Sequence, residues 1–171
     1  MPALIVPVNN KMPKFGTNLF LAENATVIGD VVMGNDCSVW FQAVVRGDVN
    51  SIRIGDKVNI QDGAILHCTY QKTTLIIGNN VSIGHRALVH GCTIEDDVLI
   101  GMGAIVMDHA IVKKNVIIAA GAIVLENMIC EENSVYAGIP ARKVKDLNPE
   151  LFKDQIERIA NNYVMYAGWF K

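Results

Sequence analysis

Aliphatic residues recur every six positions along most of this chain, and few folds tolerate so short a period. From Leu21 the series runs Val27, Met33, Val39 and Val45. A second frame holds Ile54, Ile60 and Leu66, and a third holds Ile77, Ile83 and Val89. A fourth runs Ile94, Ile100, Val106, Val112, Ile118 and Val124, and a fifth holds Ile129 and Val135. Small or β-branched residues often follow four positions later, as at Val31, Cys37, Ala43, Val58, Ala64, Val81, Ala87, Val98 and Ala104. An even period keeps strand alternation in phase. It is far too short for a paired-helix repeat. It reads as a short strand, a corner and another short strand, each anchor turned inward onto the coil below. Gly and Asn near the anchors suit the backbone angles of such corners. No rung buries its apolar face alone, so the array is cooperative and needs caps. Hydrophobic residues make up 51% of the chain but aromatics only 6%, so the core must be aliphatic. The expectation is a mainly β protein: one domain over 1–171, with a parallel β-helix over about 21–140.

The frame breaks carry information. Val45 to Ile54 and Leu66 to Ile77 are longer than six, and the surplus should loop outward because a stacked core cannot absorb it. Val89 to Ile94 and Val124 to Ile129 are one residue short and suggest tightened corners. Residues 1–20 read as a lead-in with little regular pattern. Beyond Arg142 the period changes. Asn148-Pro149-Glu150 has the form of a helix start, with Asn as N-cap, Pro at the first position and an acid in the first turn. Leu151, Phe152, Ile156, Ile159, Tyr163 and Val164 then give an apolar stripe at helical spacing. A C-terminal α-helix over about 148–166 should pack along the outside of the coil.

Several function classes fall away. Fifteen Lys and Arg against seventeen Asp and Glu leave a net charge of -2, without the basic stripe of a nucleic-acid surface. No apolar run is long enough to span a membrane, and the N-terminus lacks a basic region followed by an apolar one. Four cysteines, Cys37, Cys68, Cys92 and Cys130, are scattered without CxxC pairing and read as small apolar filler in a cytoplasmic protein.

The histidines carry the chemistry. If three hexads make a coil, Leu66 stacks beneath Val89, so His67 and His90 occupy equivalent positions on adjacent rungs, roughly 4.8 Å apart. Their preceding anchors point inward, so both rings point outward, and two imidazoles on one face can share a tetrahedral metal. His85 lies five residues before His90, a span of roughly 16 Å if extended, with a corner between. It cannot easily reach an ion held by that pair, but a neighbouring subunit could supply it. His109, after Asp108, reads as a turn residue. Arg46-Gly47-Asp48 and Gln61-Asp62 crowd the same rungs. Arg and Asp on neighbouring subunits could pair, and a Gln beside a metal could orient bound water. A surface polar network without chemistry is the other reading of that cluster.

Arg46-x-Asp48, Gln61-Asp62, His67 and His85-x4-His90 together resemble the γ-class carbonic anhydrases and their bacterial homologues, the PaaY- and YrdA-like proteins. The resemblance covers the chain from about Leu21 through the C-terminal helix. It implies a left-handed parallel β-helix of hexapeptide repeats and a homotrimer with three inter-subunit metal sites. His67 and His90 would come from one chain and His85 from its neighbour, holding Zn2+, with Fe2+ or Co2+ as substitutes. Arg46 and Asp62 would form an interface ion pair, Asp48 would join that network, and Gln61 would contact metal-bound solvent. Tyr163 would line the pocket. The activity implied is hydration of carbon dioxide to bicarbonate by water activated on the metal. The sequence departs from the family pattern twice. Val49 stands where the best-studied members carry a Glu after the Arg-x-Asp motif, and Cys68 to Thr74 is short and free of acids where those members have a long acidic loop with a proton-shuttling Glu. Weak turnover is therefore expected. The sequence is also compatible with two other functions: an acyl-CoA thioesterase or hexapeptide acyltransferase, and a non-catalytic trimeric binding or assembly module.

Overall fold

The computed structural model describes residues 2–170. Short parallel strands wind into a β-solenoid of about seven turns, closed by an antiparallel strand, Arg142–Asp146, and one C-terminal helix. Three inward columns form the core, as the period requires. One face stacks Met33, Ile54, Ile77, Ile94, Val112 and Cys130. The second stacks Leu21, Val39, Ile60, Ile83, Ile100, Ile118 and Tyr136. The third stacks Val27, Val45, Leu66, Val89, Val106 and Val124. The small residues four positions after each anchor, such as Val31, Ala43, Ala64, Ala87 and Ala104, are fully or almost fully buried.

Corners are built by residues three after an anchor, which take the left-handed conformation. Asp36, Lys57, Asn80, Asp97, Asn115 and Asn133 make one such column. His109 occupies the same position at another corner, with φ 61°, as a turn residue should.

Two expectations from the sequence need correcting. The N-terminal segment is part of the coil: Leu4–Val6 pairs with Thr26 to Ile28, Lys14–Phe15 with Val32 and Met33, and Phe20–Leu21 with Ser38 and Val39. Its rungs are too irregular in spacing for a periodic pattern to show. The fifth frame is also shifted by one. Ile129 is 48% exposed, while Cys130 is buried and pairs with Val112. Tyr136, pairing with Ile118, follows it. Ile129 is aliphatic and Cys130 is small, so hydropathy alone favours the wrong one.

The long breaks behave as expected. Val44–Ile54 is one continuous strand, but its register against Thr26–Met33 jumps between Gly47 and Ile52, so Asp48 to Ser51 bulge outward. Gly29 and Gly47 face each other at this bulge, and a Cβ on Gly29 would run into the Gly47 carbonyl. The second break, between Leu66 and Ile77, turns through Tyr70, which is exposed.

The C-terminal helix starts where the sequence indicates. Asn148 accepts a bond from Leu151 N at 2.8 Å, with Pro149 next. Helical turns run over Pro149–Leu151, then a π-helical stretch over Phe152–Glu157, then Arg158–Gly168. The helix covers the second face, whose outward residues Asn59, Ser82, Ile117 and Val135 are buried; Ile156 packs with Ile117 and Val135. Among the described residues no helix is long and apolar enough to cross a membrane.

Candidate metal centre

Parallel pairing sets His67 directly against His90 on adjacent rungs. Both follow inward anchors, so both rings stand outside the core at the edge where the third face ends. His67 Nδ1 and His90 Nε2 are 3.2 Å apart. The opposite nitrogen of each ring is occupied. His67 Nε2 donates to Asp48 Oδ1 at 3.1 Å, and His90 Nδ1 donates to Asp108 Oδ1 at 2.5 Å. A carboxylate on one imidazole nitrogen fixes the tautomer and leaves a lone pair on the other. In those tautomers two lone pairs face each other, an arrangement that a proton, the nearby Arg46 guanidinium or a bound cation would relieve. On a tetrahedral zinc with Zn–N distances of about 2.0–2.1 Å, two nitrogens sit roughly 3.3 Å apart. The observed spacing and the donor chemistry both fit such an ion.

The surroundings of His67 favour its neutral form. Burial, helped by the charge of Arg46 and by His90, outweighs Asp48 and pulls His67 below its ordinary pKa. Burial opposes ionisation of Asp48, but bonds from Arg46 and His67 prevail and keep its carboxyl low. Asp108 is likewise kept low against burial, by Thr69 Oγ1, which donates at 2.5 Å, and by His90. Arg46 Nη1 binds Asp48 Oδ2 at 2.6 Å, and its Nη2 lies 3.4 Å from His67 Nδ1.

His85 stands at a different edge, where the third face begins. Its Nδ1 donates to Asp62 Oδ2 at 2.9 Å, so this third ring repeats the same pattern and leaves Nε2 as an acceptor. Tyr163, reaching over from the helix, puts its hydroxyl 3.4 Å from that nitrogen. Burial first, then Asp62 and Tyr166, pushes the Tyr163 hydroxyl up to about 12. Gln61 is buried beside it, its Nε2 donating to Asn59 Oδ1 at 3.0 Å; Asn59 Nδ2 in turn donates to Ser82 Oγ at 2.7 Å.

The eight residues marked from the sequence thus fall into two clusters. Arg46, Asp48, His67 and His90 meet at one edge; Gln61, Asp62, His85 and Tyr163 meet at the other. Among the described residues of one chain, no three His, Cys, Asp or Glu side chains converge on one metal position. Within the chain Arg46 pairs with Asp48 and not with Asp62. Sequence reading missed Asp108 and Asn59. Asp108 was findable: it lies one coil beyond His90, at the same corner. Asn59 could not be found, because its role depends on the helix that buries it.

Residues 91–126 match the family described as bacterial transferase hexapeptide (six repeats). The chain is 47% identical to a probable carbonic anhydrase of Methanocaldococcus jannaschii, over 88% of this chain and 91% of the other. It is 43% identical to a carbonic anhydrase of Geobacillus kaustophilus, over 98% of this chain and 91% of the other. It spans about 60% of the length of two mitochondrial γ carbonic anhydrases of Arabidopsis thaliana, at 39% and 40% identity. A crystal structure of a putative acetyltransferase, product of the BC4754 gene of Bacillus cereus, superposes with a TM-score of 0.96 at 38% identity, over 99% of this chain and 98% of that one.

Proposed function

From the premise that this chain belongs to the γ-class carbonic anhydrase family of hexapeptide-repeat proteins, we propose that it hydrates carbon dioxide to bicarbonate as a metal-dependent lyase, at sites shared between subunits of a homotrimer. The observation that carries this reading is the threefold repetition of one device. His67, His85 and His90 each give one ring nitrogen to a carboxylate and keep the other clear of any carboxylate. The bound cation, Zn2+ or in its place Fe2+ or Co2+, supplies the Lewis acidity that makes water a nucleophile near neutral pH.

The two clusters bracket the third face, which supports the trimer. Its outward ladder runs Val44, Ile65, Leu88, Ile105 and Ile123, all aliphatic, with Ile65 44% exposed. A row of this kind suits an interface between copies. Cyclic packing through that face would bring the His85 edge of one copy to the His67–His90 edge of the next. Arg46 and Asp62, on opposite edges, would then meet across the contact, with Asp48 holding the guanidinium in place. Gln61, locked by Asn59, would direct its amide at the reacting water. Tyr163 would wall the pocket beside His85. The four buried free thiols suit a cytoplasmic setting.

Turnover should be slow, since no acid stands in Cys68 to Thr74 to carry the proton away. The test is metal analysis of protein purified without oxygen, followed by stopped-flow hydration of carbon dioxide. About one divalent ion per chain and slow, chelator-sensitive hydration are expected. A metal-free protein, or full metal content in a His85→Ala variant, would refute the shared site. Rates typical of a strong anhydrase would refute the proton-transfer argument.

A further inference from the structure

Between the C-terminal helix and the coil lies a cavity of 450 Å³ that carbon dioxide hydration does not require. Pockets of roughly 300–1,000 Å³ hold small organic ligands, and a three-atom substrate needs a fraction of that. The coil contributes Leu99 and Ile117, the helix contributes Ile159, and Gln61, His85 and Tyr163 line the inner end, at the earliest of the coils involved. The corner wall comes from three successive coils, at Gly84–His85, Gly101–Met102 and Ala119–Ala120. Two coil spacings of about 4.8 Å make it roughly 10 Å deep.

Charge decides the ligand class. Arg158 lines the cavity, and among the described residues that line it there is no Asp or Glu. Its guanidinium is tied to Asp154 through Nε, at 3.1 Å to the carboxylate and 2.9 Å to the carbonyl. A guanidinium has five donors, so the terminal nitrogens can take a second anion. At the inner end, the carboxylate of Asp62 on His85 disfavours one.

We infer that this cavity binds a medium-chain aliphatic carboxylate, with its headgroup on Arg158 and its alkyl chain along Leu99, Ile117 and Ile159 toward His85. With C–C bonds of about 1.5 Å, the zigzag of an eight-carbon chain matches the depth. Binding itself does not depend on the metal centre. Its consequence does, and rests on the function proposed above: a seated chain blocks approach to His85 and inhibits hydration.

The experiment is calorimetry with acetate, butanoate, hexanoate, octanoate and dodecanoate, on the full chain in its native assembly, both metal-loaded and after chelation. Affinity should rise about fourfold per methylene as far as octanoate, level off at dodecanoate, and survive chelation. Ile159→Trp should flatten the series, while Arg158→Gln should weaken every member about tenfold. Equal affinity for acetate and octanoate, loss of the series on chelation, or no binding of octanoate would overturn the inference. Octanoate binding to a metal-loaded protein that shows no hydration even without the carboxylate would leave this inference standing and remove the catalytic one.

Discussion

A carboxylate orients three of the four histidines. Asp48, Asp62 and Asp108 select the tautomer of His67, His85 and His90, and each sets the direction of a free lone pair. Replacing Asp108 with Ala should lower metal affinity about 10- to 100-fold with the fold intact, as measured by competition with a chromogenic chelator. The thiols behave oppositely to ligands. Burial pushes Cys37 and Cys68 up to about 11 and Cys130 up to about 12, and raises Cys92 as well. None should react with a disulfide reagent in the native protein, and all four should react in denaturant. Asp30 supplies a pH dependence. Burial opposes its ionisation, but Lys11 at 2.7 Å and Arg53 at 2.8 Å outweigh it and hold its carboxyl low. Its folded pKa thus lies below the unfolded value of about 3.9. The stabilisation is present above that value and is lost as pH falls through the folded one. Asp30→Asn should remove on the order of 1 kcal/mol at neutral pH and almost nothing at pH 2, as read from urea unfolding at both.

Elements differ in how openly the sequence declares them. Each rung is too short to be stable alone, so its signal is the phase it shares with neighbours. Where the phase is regular, within Ile54 to Leu66, Ile77 to Val89 and Ile94 to Val124, the columns were legible residue by residue. Where a loop intervenes, as in residues 7–13, the pattern vanishes although Leu4–Val6 still pairs. The helix declared its start through Asn148 and Pro149, local chemistry that needs no tertiary partner. Its π-helical stretch over Phe152–Glu157 had no such marker. Asn148→Ala should cost about 1 kcal/mol, and Ile156→Ala about 2–5 kcal/mol, both measured by denaturant unfolding. The second variant should also loosen Gln61, because the helix covers the face on which Asn59 holds it.

At the scale of the whole molecule, one chain carries two histidine clusters on separate edges, so the proposed chemistry would be tied to assembly. Subunits bearing His85→Ala and subunits bearing His90→Ala should each be inactive alone. Mixed by denaturation and refolding, they should recover part of the wild-type hydration rate, because one interface type keeps all three histidines. No recovery would mean that the histidines do not act across subunits. Leu88→Lys, on the aliphatic ladder, should convert the oligomer to monomers on sedimentation and release the metal with it.

Periodicity by itself determined the solenoid, its three columns and the pairing of His67 with His90, because a fixed repeat converts sequence distance directly into height along the coil. Only the tertiary structure decided the rest. Which carboxylate meets which ring, that Cys130 and not Ile129 enters the core, and that a buried Asn59 steers Gln61 all depend on corners, bulges and a helix brought in from far along the chain. Contacts of that kind follow from three-dimensional packing, and spacing along the sequence does not encode them.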